Sequence, residues 1–349
     1  MLNTQVTIVV SPRERFSYTR ESLESLYEHT KISFKLVYVD GNSPPDVQQY
    51  LATQAQEKNF QLIRTDYYLS PNRARNIGLV AVETKYVVFV DNDIVFSPNW
   101  LEALINCAED TEATVVGPLV CQEQPVHEII HFAGGEAHVV LDARGRRRLR
   151  EKMYRQGQKI ADVRQKLQRS ITELSEFHCV LVRTEIFQKI GAFNESMFNT
   201  KEHLDFCMDV VKAGGTVYFE ADSIVSYVAP PPLKRTDLHF YMLRWSDAWE
   251  LASLKHLQEK WGLAEDVYFQ HKYKILGWRR VHAIYLPIIR KLTFGRKNEW
   301  LENLLIYGFA PLEKLFNRYL TSQYAKHHLQ QNSLSVHSNS LSFDNISVR

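Results

Sequence analysis

Short apolar runs alternate with amphipathic stretches along the first two-thirds of the chain. The runs Thr7 to Val10, Lys35 to Val39, Phe60 to Arg64, Tyr86 to Val95 and Thr114 to Gly117 have the β-branched and aromatic character of buried strands. Between them, Thr19 to His29, Val47 to Lys58, Asn72 to Val82 and Pro98 to Glu109 have helical spacing, with Thr19 as a cap and Pro98 in a first turn. Strands alternating with helices predict a mostly parallel sheet with crossover helices. Ligands of such sheets bind outside the strands' C-terminal ends. Further on, Phe177 to Val182 and Thr216 to Phe219 read as strands, and Thr184 to Ile190 and Glu202 to Ala213 as helices. Gly214 and Gly215 stop the last helix. Pro230-Pro231-Pro232 marks the clearest boundary. It separates a domain over 1–229 from a helical extension over 233–329, and the polar tail 330–349 is expected to be disordered.

Composition refines this picture in two places. The chain's net charge of +2 hides an asymmetry, because 233–330 holds 16 Lys/Arg against 9 Asp/Glu. Cys107, Cys121, Cys179 and Cys207 are scattered without a C-x-x-C pair, which argues against a zinc cluster or a disulfide framework and for a reducing compartment. Met1 to Val10 reads as a first strand, not a signal peptide, and no apolar stretch is long enough to span a membrane.

The candidate chemistry sits at the strand ends. Asp91 and Asp93, at i and i+2 after a buried run, can share a face of the strand. Two such carboxylates suit Mg²⁺ or Mn²⁺ with positions left open for phosphate oxygens, although Asp-Asn-Asp is also good turn chemistry. Asp40, Ser11 and Arg13 fall at other predicted C-terminal ends. Residues 142–170 crowd Arg144, Arg146, Arg147, Arg148, Arg150, Lys152 and Arg155 into one interval. They read as a mobile basic insertion, either a solvated loop or a lid facing phosphate or acceptor.

Six segments taken in order resemble the family 2 glycosyltransferases of the GT-A fold, over roughly 5–228. They are Val6 to Val10, Tyr38-Val39-Asp40-Gly41-Asn42-Ser43, Asn72-Arg73-Ala74-Arg75-Asn76-Ile77-Gly78, Phe89-Val90-Asp91-Asn92-Asp93, Ile190-Gly191-Ala192-Phe193-Asn194-Glu195 and Glu202-His203-Leu204-Asp205-Phe206. The resemblance implies an α/β fold of GT-A type, a mostly parallel nucleotide-binding sheet flanked by helices. It implies transfer of a sugar from a nucleotide-diphosphate donor to an acceptor hydroxyl, inverting and divalent-metal-dependent, in polysaccharide or glycoconjugate synthesis. On this likeness Ser11, Arg13, Asp40, Arg75, Asp91 and Asn92 bind the donor, and Asp91 and Asp93 hold Mn²⁺ or Mg²⁺. Asp40 would meet nucleobase or ribose, or else only brace its turn. Arg75 would meet donor oxygens, or else be a surface helix arginine. Asn76 more often holds its loop in place.

Two positions depart from the pattern. The family's usual base is an Asp after a Glu, and here His203 follows Glu202, so either is a candidate base. Many relatives have a His after the late strand, where this chain has Tyr227, a poor ligand for hard cations. His131 and His138 stay outside the expected ligand set. These departures keep open a non-catalytic nucleotide-sugar-binding relative. A nucleotidyltransferase is disfavoured because Ser11-Pro12-Arg13-Glu14-Arg15 has no glycine, and a Rossmann dehydrogenase because no G-x-G-x-x-G follows a strand. The expected acceptor is a carbohydrate, a lipid-linked or a small molecule. Aromatic and basic residues over 273–319 suit peripheral membrane contact, or packing onto the catalytic domain or a twin subunit. Nucleic acid is not expected. The expected setting is cytoplasmic, with or without contact at the inner face of the membrane.

Overall fold

The computed structural model describes residues 4–228, 233–292 and 299–338. The apolar runs become strands β1 (Val6–Ser11), β2 (Lys35–Gly41), β3 (Gln61–Thr65) and β4 (Tyr86–Asp91). They lie in the order β4-β1-β2-β3, and every pairing among them is parallel. Helices α1 (Thr19–His29), α2 (Pro45–Lys58) and α3 (Pro71–Leu79) make the connections. All residues of β1 and β4 are buried, as strands covered on both faces must be. Register aligns the ends: Ser11 pairs with Asp91 and Val10 with Tyr38, so Ser11, Asp40 and Asp91 emerge at one edge.

The strand expected to run through Val95 breaks at Asn92. A new strand, β5 (Ile94–Phe96), leaves β4 and pairs antiparallel with the last strand of the sheet. Helix α4 (Trp100–Thr111) leads to β6 (Val115–Gln122) and β7 (Ile129–Phe132). Next comes a hairpin of β8 (Gly135–Leu141) and β9 (Arg147–Met153), then a short α5 (Ile160–Val163) and β10 (Ser170–Thr172). The remaining core elements are β11 (Cys179–Arg183), α6 (Ile186–Ile190), α7 (Glu202–Lys212) and β12 (Val217–Tyr227). β11 is antiparallel to both β4 and β6, whereas β12 runs parallel to β6. The sheet is mixed, and the half built of β1 to β4 is wholly parallel, as the pattern predicts.

The basic insertion 142–170 holds regular structure. Its arginines lie along β9 and neighbouring turns, several of them set against carboxylates. Arg146 and Arg148 reach Asp142, Arg150 reaches Glu136 at 2.9 Å, and Arg169 bonds both Glu220 and Asp110. A backbone ladder with β8 and these acidic partners order a stretch that charge alone marks as solvated.

Beyond residue 232 the extension is helical: α8 (Leu238–Arg244), α9 (Asp247–Trp261), α10 (Val267–Lys274) and α11 (Trp278–Arg280). A π turn (Val281–Tyr285) joins α11 to α12 (Leu286–Leu292), and α13 (Glu299–Ser338) follows. The buried Arg280 ties α11 to Glu313 of α13 and to Asp247 of α9, at 2.6 Å each. Helix α13 runs on to Ser338, into the tail expected to be disordered from residue 330. Residues 339–349, and the proline boundary itself, lie outside the described residues. No described helix is long and apolar enough to cross a membrane.

Helix α3 lies close on the sheet at Gly78, where an added Cβ would meet Val9 Cγ1 at 2.3 Å. Gly78→Ala therefore loses more to overpacking, about 1–3 kcal/mol, than the ~1 kcal/mol it gains in helix propensity. Gly308 in α13 has nothing within 4 Å of its added Cβ. Thermal denaturation should show a lower midpoint for Gly78→Ala and no loss for Gly308→Ala.

Candidate functional site

Asp91 closes β4 with its side chain 1% exposed. Its Oδ1 lies 3.4 Å from the Arg75 guanidinium. Its Oδ2 lies 3.3 Å from Arg13 Nε and 3.2 Å from His178 Nδ1. Burial alone would raise its pKa, but Arg13, His178 and Arg75 outweigh that and hold it below the usual range. Asp91 is committed to protein cations. The sharp turn after it comes from Asn92, whose Oδ1 accepts from Arg13 N at 3.0 Å. Its Nδ2 donates to the Arg15 carbonyl at 2.9 Å and to Thr19 Oγ at 3.2 Å. Both ends of the Asn92 amide are thus engaged in holding the β1–α1 loop.

Asp93 is the opposite case. It is fully buried, and neither carboxylate oxygen has a hydrogen-bond partner among the described residues. Burial raises its pKa well above the ordinary range, and the nearby Glu14 and Asp91 carboxylates raise it further. Glu14 is also buried, with Oε1 unpartnered by hydrogen bonds, 3.8 Å from Arg13 Nε and 3.7 Å from an Arg279 nitrogen. Its Oε2 accepts from the Tyr227 hydroxyl. An orphaned anionic oxygen pair beside a second carboxylate is a fitting donor set for a hard divalent cation. The expected pair therefore divides: Asp93, with Glu14 beside it, has free oxygens, whereas those of Asp91 face arginine and histidine.

Arg75 is no surface residue. It is buried, donates to Asn72 Oδ1 at 3.1 Å, and packs 4.0 Å over the Phe177 ring. Asn76 holds the loop at Phe193 through that residue's N–H and carbonyl, as its residue type suggests. Ser11 ends β1 with a buried, unpartnered hydroxyl. Asp40 accepts from Ser43 N at 2.9 Å and Ser43 Oγ at 2.8 Å, and it pairs with Arg64. It braces its turn and presents Arg64, 26% exposed, at the edge of the sheet. Arg64 escaped the motif reading because its ion pair spans two strands.

A cavity of about 390 Å³ opens beside Asp91, lined among others by Arg13, His131, Glu176, His178, Glu202 and His203. Its far wall comes from the extension, including Trp245, Lys272 and Arg279. Arg244 stitches the two together, with Nε on the Arg13 carbonyl at 3.1 Å and another nitrogen on the Asn199 carbonyl at 2.6 Å. Asp237 accepts from Phe16 N and Ser17 N, which fixes the loop after β1 from the same side.

Both candidate bases reach this cavity from the first turn of α7. Glu202 Oε1 is held 3.5 Å from Arg244 and 4.0 Å from Arg75. Burial would raise its pKa, but Arg244 and Arg75 outweigh it and keep the carboxylate low. His203 is pushed down by burial, against the pull of Glu176 and Glu202, so it is a neutral imidazole at neutral pH. Asp205 points elsewhere, to Lys260 and the Trp261 indole of α9.

The family model for Glycosyl transferase family 2 matches residues 7–191. The chain belongs to this family. The match carries the GT-A type of the sheet and makes 7–191 a glycosyltransferase domain. The chain is 25% identical over 230 residues to the pre-mycofactocin glycosyltransferase of Mycobacterium tuberculosis, covering 64% of this chain and 42% of that protein. It is 25% identical over 108 residues to an uncharacterized glycosyltransferase of Rickettsia bellii, covering 31% and 16%. The chain thus spans less than half the length of these relatives. Among solved structures, GalNAc-T7 with UDP, GalNAc and Mn²⁺ aligns with a TM-score of 0.48 at 13% identity, over 78% of this chain and 56% of that one.

The orphaned carboxyl of Asp93 gives a linkage that can be measured in chelator. Its folded pKa lies above its unfolded value, so protonation favours folding, and ionisation opposes it as pH rises. Asp93→Asn removes the opposition. Denaturant unfolding should find this variant more stable than the parent at pH 7, by about 1 kcal/mol or more. The gain should vanish as pH falls to about 4, where the unfolded carboxyl also takes up a proton.

Proposed function

We propose that this protein transfers a sugar from a nucleoside-diphosphate donor to an acceptor hydroxyl, with inversion and with help from a divalent cation. The observation that carries the reading is the buried, unpartnered carboxylate of Asp93 at the strand edge where Ser11, Asp40 and Asp91 also emerge. Asp93, with Glu14 beside it, would hold Mn²⁺ or Mg²⁺, and the ion would neutralise the diphosphate as it leaves. Arg13 lines the cavity and would supply a fixed positive charge to the same group. Asp91 and Arg75 set the position of Arg13 and of Glu202; they orient the site from beneath. Arg64, braced by Asp40, is placed for the nucleoside end.

His203 is the acceptor's base in this account. A carboxylate between two guanidinium groups is a weak proton acceptor, which is the position of Glu202. A neutral imidazole lining the cavity accepts a proton near neutral pH. The acceptor enters between α7 and the extension, and the exposed apolar stripe of α13 supports a lipid-linked acceptor at a membrane surface. Trp300 is 72% and Leu312 62% exposed there, with Lys314 and Arg318 nearby in the same helix.

Four outcomes are expected. Asp93→Ala should abolish transfer and remove the Mn²⁺ dependence of donor binding measured by calorimetry; unchanged activity would reduce Asp93 to a turn residue. His203→Asn should lower turnover about 10²–10⁴-fold with donor affinity unchanged. Glu202→Gln, by contrast, leaves Arg244 and Arg75 short of a counter-charge and should cost about 3–5 kcal/mol of stability. In flotation assays the chain should rise with anionic vesicles, and Trp300→Ser with Leu312→Ser should release it.

A further inference from the structure

Three side chains beside the donor edge are arranged for a cation that the reading above does not use. His131 Nε2 lies 3.3 Å from Glu176 Oε2, and His178 Nε2 lies 3.3 Å from the same oxygen. One ligand atom from each of these residues fits within a mutual separation of 4.8 Å. Ligand atoms about 2.0–2.1 Å from a tetrahedral ion lie about 3.3–3.4 Å apart, so the spacing suits a metal centre.

The opposite nitrogens strengthen the case. His131 Nδ1 is 2.8 Å from Gln122 Oε1, and His178 Nδ1 is 3.2 Å from Asp91 Oδ2. Gln122 accepts the His131 proton when it presents its oxygen, as here, whereas the approach of His178 Nδ1 to Asp91 Oδ2 lacks hydrogen-bond geometry. A neutral imidazole that gives its one proton to such an acceptor turns the Nε2 lone pair the other way, toward Glu176. The His131 lone pair then faces a carboxylate oxygen, a repulsive arrangement until a cation enters. An acceptor on the far nitrogen is also the device that orients metal-bound histidines. Tyr227 stacks on His178 with ring centroids 4.3 Å apart, and the His131 ring stands at 79° to His178, so neither ring rotates freely. All three residues line the cavity, which leaves a coordination position facing it.

We propose that His131, Glu176 and His178 form a second cation site, for a borderline transition ion such as Zn²⁺, with an open position toward the acceptor cavity. Its two imidazoles and one carboxylate differ from the all-oxygen set at Asp93, which suits a harder ion. The site is independent of the proposed transfer reaction: ion binding is read without donor or acceptor.

Untagged protein, stripped with chelator and dialysed against Zn²⁺ alone, should retain one ion per chain. Co²⁺ in its place should give the intense visible bands of a four-coordinate mixed nitrogen and oxygen site. Asp93→Asn should leave both readouts intact. His131→Gln and Glu176→Gln should abolish them, with folding checked by circular dichroism. Gln122→Ala removes only the outer hydrogen bond and should weaken Zn²⁺ binding about 10–100-fold, which keeps the test open should either ligand variant fail to fold. The proposal is overturned if the parent retains no stoichiometric Zn²⁺, if the ion survives in folded His131→Gln, or if Gln122→Ala binds as the parent does. Failure of this kind leaves the Asp93 reading standing, since Mn²⁺-dependent donor binding would persist.

Discussion

The arrangement of this molecule depends on how it buries negative charge at the end of β4. Moving a carboxylate out of water costs several kcal/mol unless cations or hydrogen bonds replace the solvent. Asp91 meets that demand with Arg13, Arg75 and His178. Asp93 does not, and nothing described in the chain offers its oxygens a proton donor. A fold that buries an unpartnered carboxylate beside one set against two arginines offers a place for a positive ligand. On the proposed reading the energetic penalty at Asp93 would favour a bound cation, while the arginines at Asp91 anchor that residue.

The helical extension is part of the same balance. Arg244 joins the Arg13 carbonyl to Glu202, Arg279 approaches Glu14, and Asp237 caps the N–H groups of Phe16 and Ser17. These contacts come from α8 and α11 and its flanks, yet they act on the loop after β1 and on the start of α7. The cavity therefore has one wall from the sheet and one from the extension.

Much of the sheet was legible because its strands are continuous apolar runs. Tyr86 to Asp91 and Val6 to Ser11 lie where periodicity puts them, and their ends align because neighbouring parallel strands share a register. The hairpin β8–β9 was hidden because its alternating arginines look like a solvated segment until Asp142 and Glu136 are set against them. Glu14, Glu176, His178 and Arg244 escaped for a different reason. Their meaning lies in partners remote in sequence, as with Tyr227, 213 residues from Glu14, and Arg13, 231 residues from Arg244. One local signal did exist for Glu14: a carboxylate between two arginines, directly after a buried strand. The Asp-x-Asp spacing falls at the strand end that the structure places beside Ser11 and Asp40, but only side-chain geometry separates Asp91, set against Arg13 and Arg75, from Asp93, whose oxygens have no hydrogen-bond partner.

The most direct test of this division is anomalous diffraction from crystals grown with Mn²⁺ and a nucleoside diphosphate. The account predicts an anomalous peak at coordination distance from an Asp93 oxygen and bridged to the diphosphate, with Asp91 still paired to Arg75 and Arg13. A manganese ion held by Asp91 in place of those arginines, or a diphosphate bound with Asp93 still buried and unliganded, would contradict it.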